Sequence, residues 1–161
     1  MKKILSIMIV VWGIAVLCTL FLSSCKRPEV LDNSTLVNSA RNVALTFGPA
    51  YVPFFKEANV SDVQVFKKED YGGDSRPQIR KQIGRKFYTV TFTYDSTAVK
   101  FDFGFAARVR IWKDTGEPLD VIFGNGWGRN FFFLSFKEQT DHSANDYEKV
   151  ASDSIVKVPL Q

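Results

Sequence analysis

Cysteine and histidine are almost missing from this chain, and their scarcity removes whole classes of chemistry. Its 161 residues hold two cysteines and one histidine. Cys18 lies inside an uncharged apolar run, residues 4–22, and Cys25 follows just after it. From residue 26 onward there is no cysteine, so that part has neither disulfide nor thiol nucleophile. In an oxidising compartment packing alone must stabilise it. Clustered Cys/His zinc sites are excluded. A Ser-His-Asp triad would depend on His142, which sits in a polar stretch. Glu69, Asp70 and Asp74 surround Gly72-Gly73, but without the spacing of a calcium-binding EF-hand. The expectation is a chain without metal, cofactor or catalytic machinery.

A large charge excess is lacking too. The formal net charge is +4, and Lys2 and Lys3 precede the apolar run. The remainder carries 19 basic residues against 17 acidic ones, which is not the balance of a nucleic-acid-binding protein. Internal repeats are also missing.

What is present begins with an address. A basic start, an apolar middle and small residues at the end have the order of a secretory signal peptide. Leu22-Ser23-Ser24-Cys25 resembles the bacterial lipobox: an aliphatic residue, two small residues, then cysteine. The resemblance implies cleavage before Cys25, a diacylglycerol on its thiol and a fatty acid such as palmitate on the new amino terminus. One acyl chain binds a membrane only marginally, whereas two or three anchor it durably. The competing reading of residues 4–22 is an uncleaved transmembrane helix, since about 20 apolar residues span a bilayer. Lys26, rather than an aspartate, follows the cysteine. That resembles lipoproteins sent to the outer membrane, so the expected location is the bacterial cell envelope, lipid-anchored at the outer membrane. The expected organisation is a signal peptide (1–24), a lipidated cysteine with a tether containing Pro28 (25–33), and one domain with a polar C-terminal segment (34–161). Residues 25–161 number 137, enough for a single core.

Leu36, Val37, Ala40, Val43, Ala44 and Phe47 recur at helical spacing, and Gly48-Pro49 ends the pattern. Asp32, Asn33 or Ser34 can cap its start. Residues 50–58, aromatic and interrupted by Pro53, read as a turn or short second helix. Residues 60–68 read as a first strand and 69–82 as a loop. Residues 86–94 are β-branched and aromatic, a strong strand. Residues 95–100 read as a hairpin connection. Residues 101–112 alternate most clearly. Phe101, Phe103, Phe105, Ala107, Val109 and Ile111 share one face, and Asp102, Gly104, Ala106, Arg108, Arg110 and Trp112 the other. Residues 113–118 read as a turn, 119–123 as a strand that "GNGWGRN" interrupts, and 131–136 as its continuation or a new strand. A short helix is expected over 145–151 and a strand-like segment over 155–159.

One helix followed by a meander of strands predicts an α+β domain, with the helix packed on a curved antiparallel sheet of about four strands. This order over residues 34–136 resembles the cystatin-like and nuclear-transport-factor-2-like (NTF2-like) architectures. The Gln-x-Val-x-Gly turn of inhibitory cystatins is lacking at Gln64-Val65-Phe66, so protease inhibition is not implied. A small β-sandwich or barrel is the alternative.

Two places carry candidate binding residues. In "GNGWGRN" a flexible backbone can present Trp127 and Arg129 to a ligand or partner, or the glycines can simply bend a strand. Arg108, Arg110 and Trp112 form either an anion-binding or stacking surface, or an ordinary solvated sheet face. A basic run, Arg76, Arg80, Lys81, Arg85 and Lys86, either touches anionic headgroups or is solvated loop. Phe131, Phe132 and Phe133 read as core, with one on the opposite face. The functional expectation is a lipid-anchored binding or assembly module of the cell envelope, not an enzyme. Its partners would be the membrane, through the lipid, and an envelope protein or small ligand. A structural accessory or immunity-type lipoprotein is the second reading, and a small enzyme the third.

Overall fold

The apolar stripe of residues 36–47 forms helix α1, Asn33–Phe47. Asp32 caps it, its carboxylate accepting from the Thr35 amide at 2.7 Å, which satisfies one of the unpaired first-turn donors. Leu36, Ala40, Val43, Ala44 and Phe47 are its buried residues. Gly48 closes the helix, its N–H donating to the Ala44 carbonyl. A 3-10 turn over Pro49–Phe54 follows and buries Tyr51. The computed structural model describes residues 31–73, 76–140 and 156–157, and Leu31–Gln161 forms one compact unit. Cys25, His142 and the helix expected over 145–151 lie outside the described residues.

Among the described residues eight strands follow: β1 Ala58–Val60, β2 Gln64–Val65, β3 Lys86–Phe92, β4 Val99–Lys100, β5 Ala107–Trp112, β6 Pro118–Phe123, β7 Gly128–Asn130 and β8 Val156–Lys157. Six form one antiparallel sheet in the order β1-β3-β5-β6-β7, with β2 also on β3, while β4 and β8 pair separately. The sheet is thus wider than the four strands expected. It is open, with edges at β1/β2 and β7, and the barrel alternative is not adopted.

The expected strand over 60–68 is broken. Residues 61–63 bulge opposite Tyr88 and Thr89, between the β1 and β2 pairings. The Ser61 hydroxyl bridges the gap by accepting from the Thr89 amide at 3.0 Å. The expected loop 69–82 holds short elements of its own: a 3-10 turn, Lys68–Tyr71, and helix α2, Pro77–Arg80. The long alternation of 101–112 is a strand only from Ala107. Residues 101–106 fold instead over the β6–β7 hairpin, the Phe103 amide donating to Gly124 O and the Gly124 amide to Ala106 O, both at 2.9 Å. Residues 131–135 are not strand either. The ladder ends at Phe131, whose amide donates to Leu119 O, and helix α3, Phe136–Thr140, follows.

Register places Val90, Phe92, Ala107, Val109, Val121 and Phe123 on the face under α1. They form the main core with Leu36, Phe47 and Tyr51. The opposite face carries a second cluster, Phe66, Ile79, Phe87, Trp112 and Leu119, with Tyr71 and Phe132 packed against it. The three adjacent phenylalanines therefore divide. Phe131 joins the main core, Phe132 the second, and Phe133 lies exposed under the Arg76 guanidinium at 4.2 Å.

Gly48 is fixed by close approach: a Cβ there would stand 2.3 Å from the Phe123 ring. Gly48→Ala is expected to lower stability by about 1–3 kcal/mol through overpacking. The denaturant midpoint should fall with an unchanged slope. Wild-type stability would mean that Phe123 can move aside at little cost.

Candidate functional site

The structure separates the five candidate binding residues into three environments. Trp127 and Arg129 come together. "GNGWGRN" is a hairpin turn, residues 124–127, that leads from β6 into β7 (Gly128–Asn130), not a bend within one strand. The Phe123 amide donates to Trp127 O at 2.7 Å and the Gly126 amide to Phe123 O at 2.9 Å. Gly126 has φ +84, the left-handed backbone a tight turn requires. Asn125 Oδ1 accepts from the Trp127 amide at 3.1 Å. Trp127 stands opposite Phe123 and stacks on its ring at 5.6 Å and 25°. It is half-buried and packs against the main core.

Arg129 pairs opposite Val121 and lies 6.0 Å over the Phe47 ring. Burial draws its guanidinium pKa below the ordinary value, yet arginine keeps its charge at neutral pH. Trp127 and Arg129 line an open cleft of about 420 Å³ with Phe133 and Leu134. Those two side chains are 41% and 50% exposed. The cleft floor is pinned by Gln139, whose Nε2 donates to Asn130 O at 2.8 Å and Leu134 O at 2.9 Å. Sequence reasoning found Trp127 and Arg129 but missed Leu134 and Gln139. The signal was available: Ser135-Phe136-Lys137-Glu138 is a capping box, Ser135 N donating to Glu138 Oε2 and Glu138 N to Ser135 Oγ. It announces α3 and thereby folds residues 131–134 back along β7.

Arg108 and Arg110 lie on the other face, as the alternation predicted, but not as a free cationic pair. Arg110 Nε donates to both Asp120 oxygens at 3.0 Å, and its Nη2 also contacts Oδ2. Asp120 is buried. Burial pushes its carboxyl up and the guanidinium pulls back, leaving it above the usual value. The same carboxylate holds the Arg110 pKa above its ordinary value against desolvation. Arg108 lies 5.0 Å over Phe105. A groove of about 470 Å³ runs here, lined by Ser61, Gln64, Asp70, Thr89 and both arginines. Asp70 accepts from the Lys67 amide at 2.6 Å. With Arg110 neutralised by Asp120 and the Asp70 carboxylate also in the lining, the groove is no strong anion site.

Trp112 must be corrected as a binding residue. It shares the arginine face, but it is only 5% exposed. Phe66 and Phe87 meet it edge-on at 5.6 and 6.4 Å, and Arg85 covers it at 4.0 Å. Arg85 in turn holds Asp114 at 3.0 and 2.6 Å, drawing that carboxyl below its usual pKa. Among the described residues no group of three or more His, Cys, Asp or Glu is placed to hold a metal ion. No family model, curated protein or solved structure matches this chain.

Two measurements follow from this geometry. Trp127→Ala is expected to lower stability by about 2 kcal/mol or more, through lost apolar burial and the lost stacking on Phe123. A chemical melt checks it, and a loss under about 0.5 kcal/mol would describe a surface residue instead. Arg110→Met leaves a buried carboxylate alone and should cost about 3–5 kcal/mol at pH 7. Without the guanidinium, burial lifts Asp120 further above its unfolded value of about 3.9. The native state then binds a proton the unfolded state lacks, so stability falls as pH rises through that window. The deficit should therefore shrink as pH is lowered towards about 4. A pH-independent deficit would mean that Asp120 finds another partner.

Proposed function

We propose that the chain is a lipid-anchored binding or assembly module of the bacterial cell envelope, held at the outer membrane through Cys25. It acts by docking a protein partner along β7 rather than by catalysis. One observation carries the docking surface: Trp127 and Arg129 share an open cleft with the exposed Phe133 and Leu134. Aromatic, aliphatic and guanidinium groups together resemble the buried centre of a protein interface. The cleft is open, which suits a partner's side chains better than an enclosed small molecule. An immunity-type or accessory lipoprotein would use the same surface.

The finer architecture belongs to this reading too. A helix followed by an antiparallel meander, with the helix across one face, supports a cystatin-like or NTF2-like arrangement.

Two experiments test the proposal. Fatty-acid labelling should mark the wild-type chain and not Cys25→Ser, and label retained by the variant would overturn the anchor. A photo-crosslinker replacing Leu134 should give a discrete product with an envelope protein in native membranes. Phe133→Ser should abolish that product, while a crosslinker replacing the exposed Leu45 should give none. Equal products from both positions, or none from Leu134, would overturn the docking surface.

A further inference from the structure

The chain enters the domain at the end of the sheet far from the Trp127 hairpin. Leu31 packs at the β5–β6 turn, its side chain 3.3 Å from where a Gly116 Cβ would stand. That turn is tied to the basic segment. The Lys113 amide donates to Lys86 O at 2.9 Å, and the neighbouring Asp114 is gripped by Arg85. Helix α2 docks on the same end because Ile79 is buried in the cluster of Trp112 and Leu119. Gln82 accepts from Arg85 at 2.5 Å. Arg80, Lys81, Lys86 and Lys113 are exposed there, and among them Ile83 is 45% exposed. Among the described residues the acids at this end include Asp114, already engaged by Arg85, Glu117, and Asp32, which caps α1 beside Leu31.

The geometry points to this basic end, residues 80–86 with Lys113, as a surface that lies against an anionic membrane. The inference rests on the Cys25 anchor proposed above and names the face that the anchor presses down. Cys25 is six residues from Leu31 in the sequence, a reach of about 20 Å at most. Strand β6 alone is about 20 Å long, so the tether brings the basic end to the bilayer before the Trp127 hairpin. Lys and Arg side chains near anionic headgroups are attracted within a Debye length. An exposed isoleucine among them can enter the headgroup boundary. A lipid chain joined to a basic patch is the two-signal combination that makes attachment durable.

The lipidated protein, beginning at Cys25 and reconstituted in phosphatidylcholine vesicles with and without phosphatidylglycerol, decides the matter. Amide hydrogen exchange at residues 81–85 and 113–116 should slow by about tenfold or more on the anionic vesicles. The slowing should vanish in 1 M salt, where the Debye length is about 3 Å. It should also vanish in Lys81→Glu/Lys86→Glu/Lys113→Glu and weaken in Ile83→Ser, which keeps every charge. Equal exchange on both lipids, or protection that survives the triple variant, overturns the orientation. So does protection in native membranes with none on the vesicles, which hold no other protein; that result assigns the patch to a protein partner. Fatty-acid labelling of the same samples keeps the two ideas apart. An unlabelled chain overturns the anchor and this orientation with it, whereas a labelled chain with lipid-independent exchange overturns the orientation alone.

Discussion

An antiparallel sheet must cover whatever apolar surface it shows, and among the described residues one long helix lies on this one, against one face. Helix α1 seals one face with Leu36, Val43 and Phe47. Cover for the other comes from the segment between β2 and β3, which supplies Phe66, Tyr71 and Ile79, and from Phe132 beyond β7. That cover reaches only part of the way. At one end Trp112 and Leu119 are buried under it; at the other Thr91 and Arg108 line an open groove. The Arg110–Asp120 pair stands between these regions, which explains how a carboxylate can be buried on that face. Its partner is planar, permanently charged and set beside it on the neighbouring strand. Among the described residues, the polar groove and the second core thus share the face that α1 does not cover.

How much of this the sequence showed follows from what periodicity measures. Alternation reports which side chains share a face, and it placed Arg108, Arg110 and Trp112 together correctly. It does not report what later covers that face, so Trp112 looked like a contact residue when it is core. Residues 101–106 alternate as cleanly as a strand but lack a partner to pair with on both sides. Phe101 and Phe105 are buried by folding over the hairpin instead. The helix was legible because its cap, its stripe and its stop agree. The broken edge at residues 61–63 was not, since a bulge depends on the register of Thr89 in a distant segment. In Phe131–Phe133 neither period applies, because each ring goes to a different environment.

The candidate residues divide the same way. Trp127 and Arg129, separated by one position, project to the same side of β7 and meet in one cleft. Arg108 and Arg110 also project together, but a buried carboxylate from the next strand consumes one of the two charges. A basic pair in a strand is therefore weak evidence for an anion site until its cross-strand neighbours are known, and here Asp120 decides the matter. Under the proposed anchoring the molecule is polarised along its strands, with lipid and basic loop at one end and the aromatic hairpin at the other. The partner would approach from the side away from the bilayer.

Under the proposed anchoring, the bulge held by Ser61 has a consequence for how copies of the domain meet. Confinement to two dimensions concentrates identical molecules and gives each sheet edge many chances to meet another. An unbroken edge would be a template for end-to-side polymerisation. On one side the ladder is interrupted where Ser61 lends its hydroxyl to Thr89. On the other, β7 runs for three residues, and the outward Asn130 carbonyl is already taken by Gln139. Neither edge offers a second copy a continuous row of donors and acceptors. A densely anchored population could then stay dispersed without relying on charge repulsion, leaving side chains rather than backbone to choose the company the domain keeps.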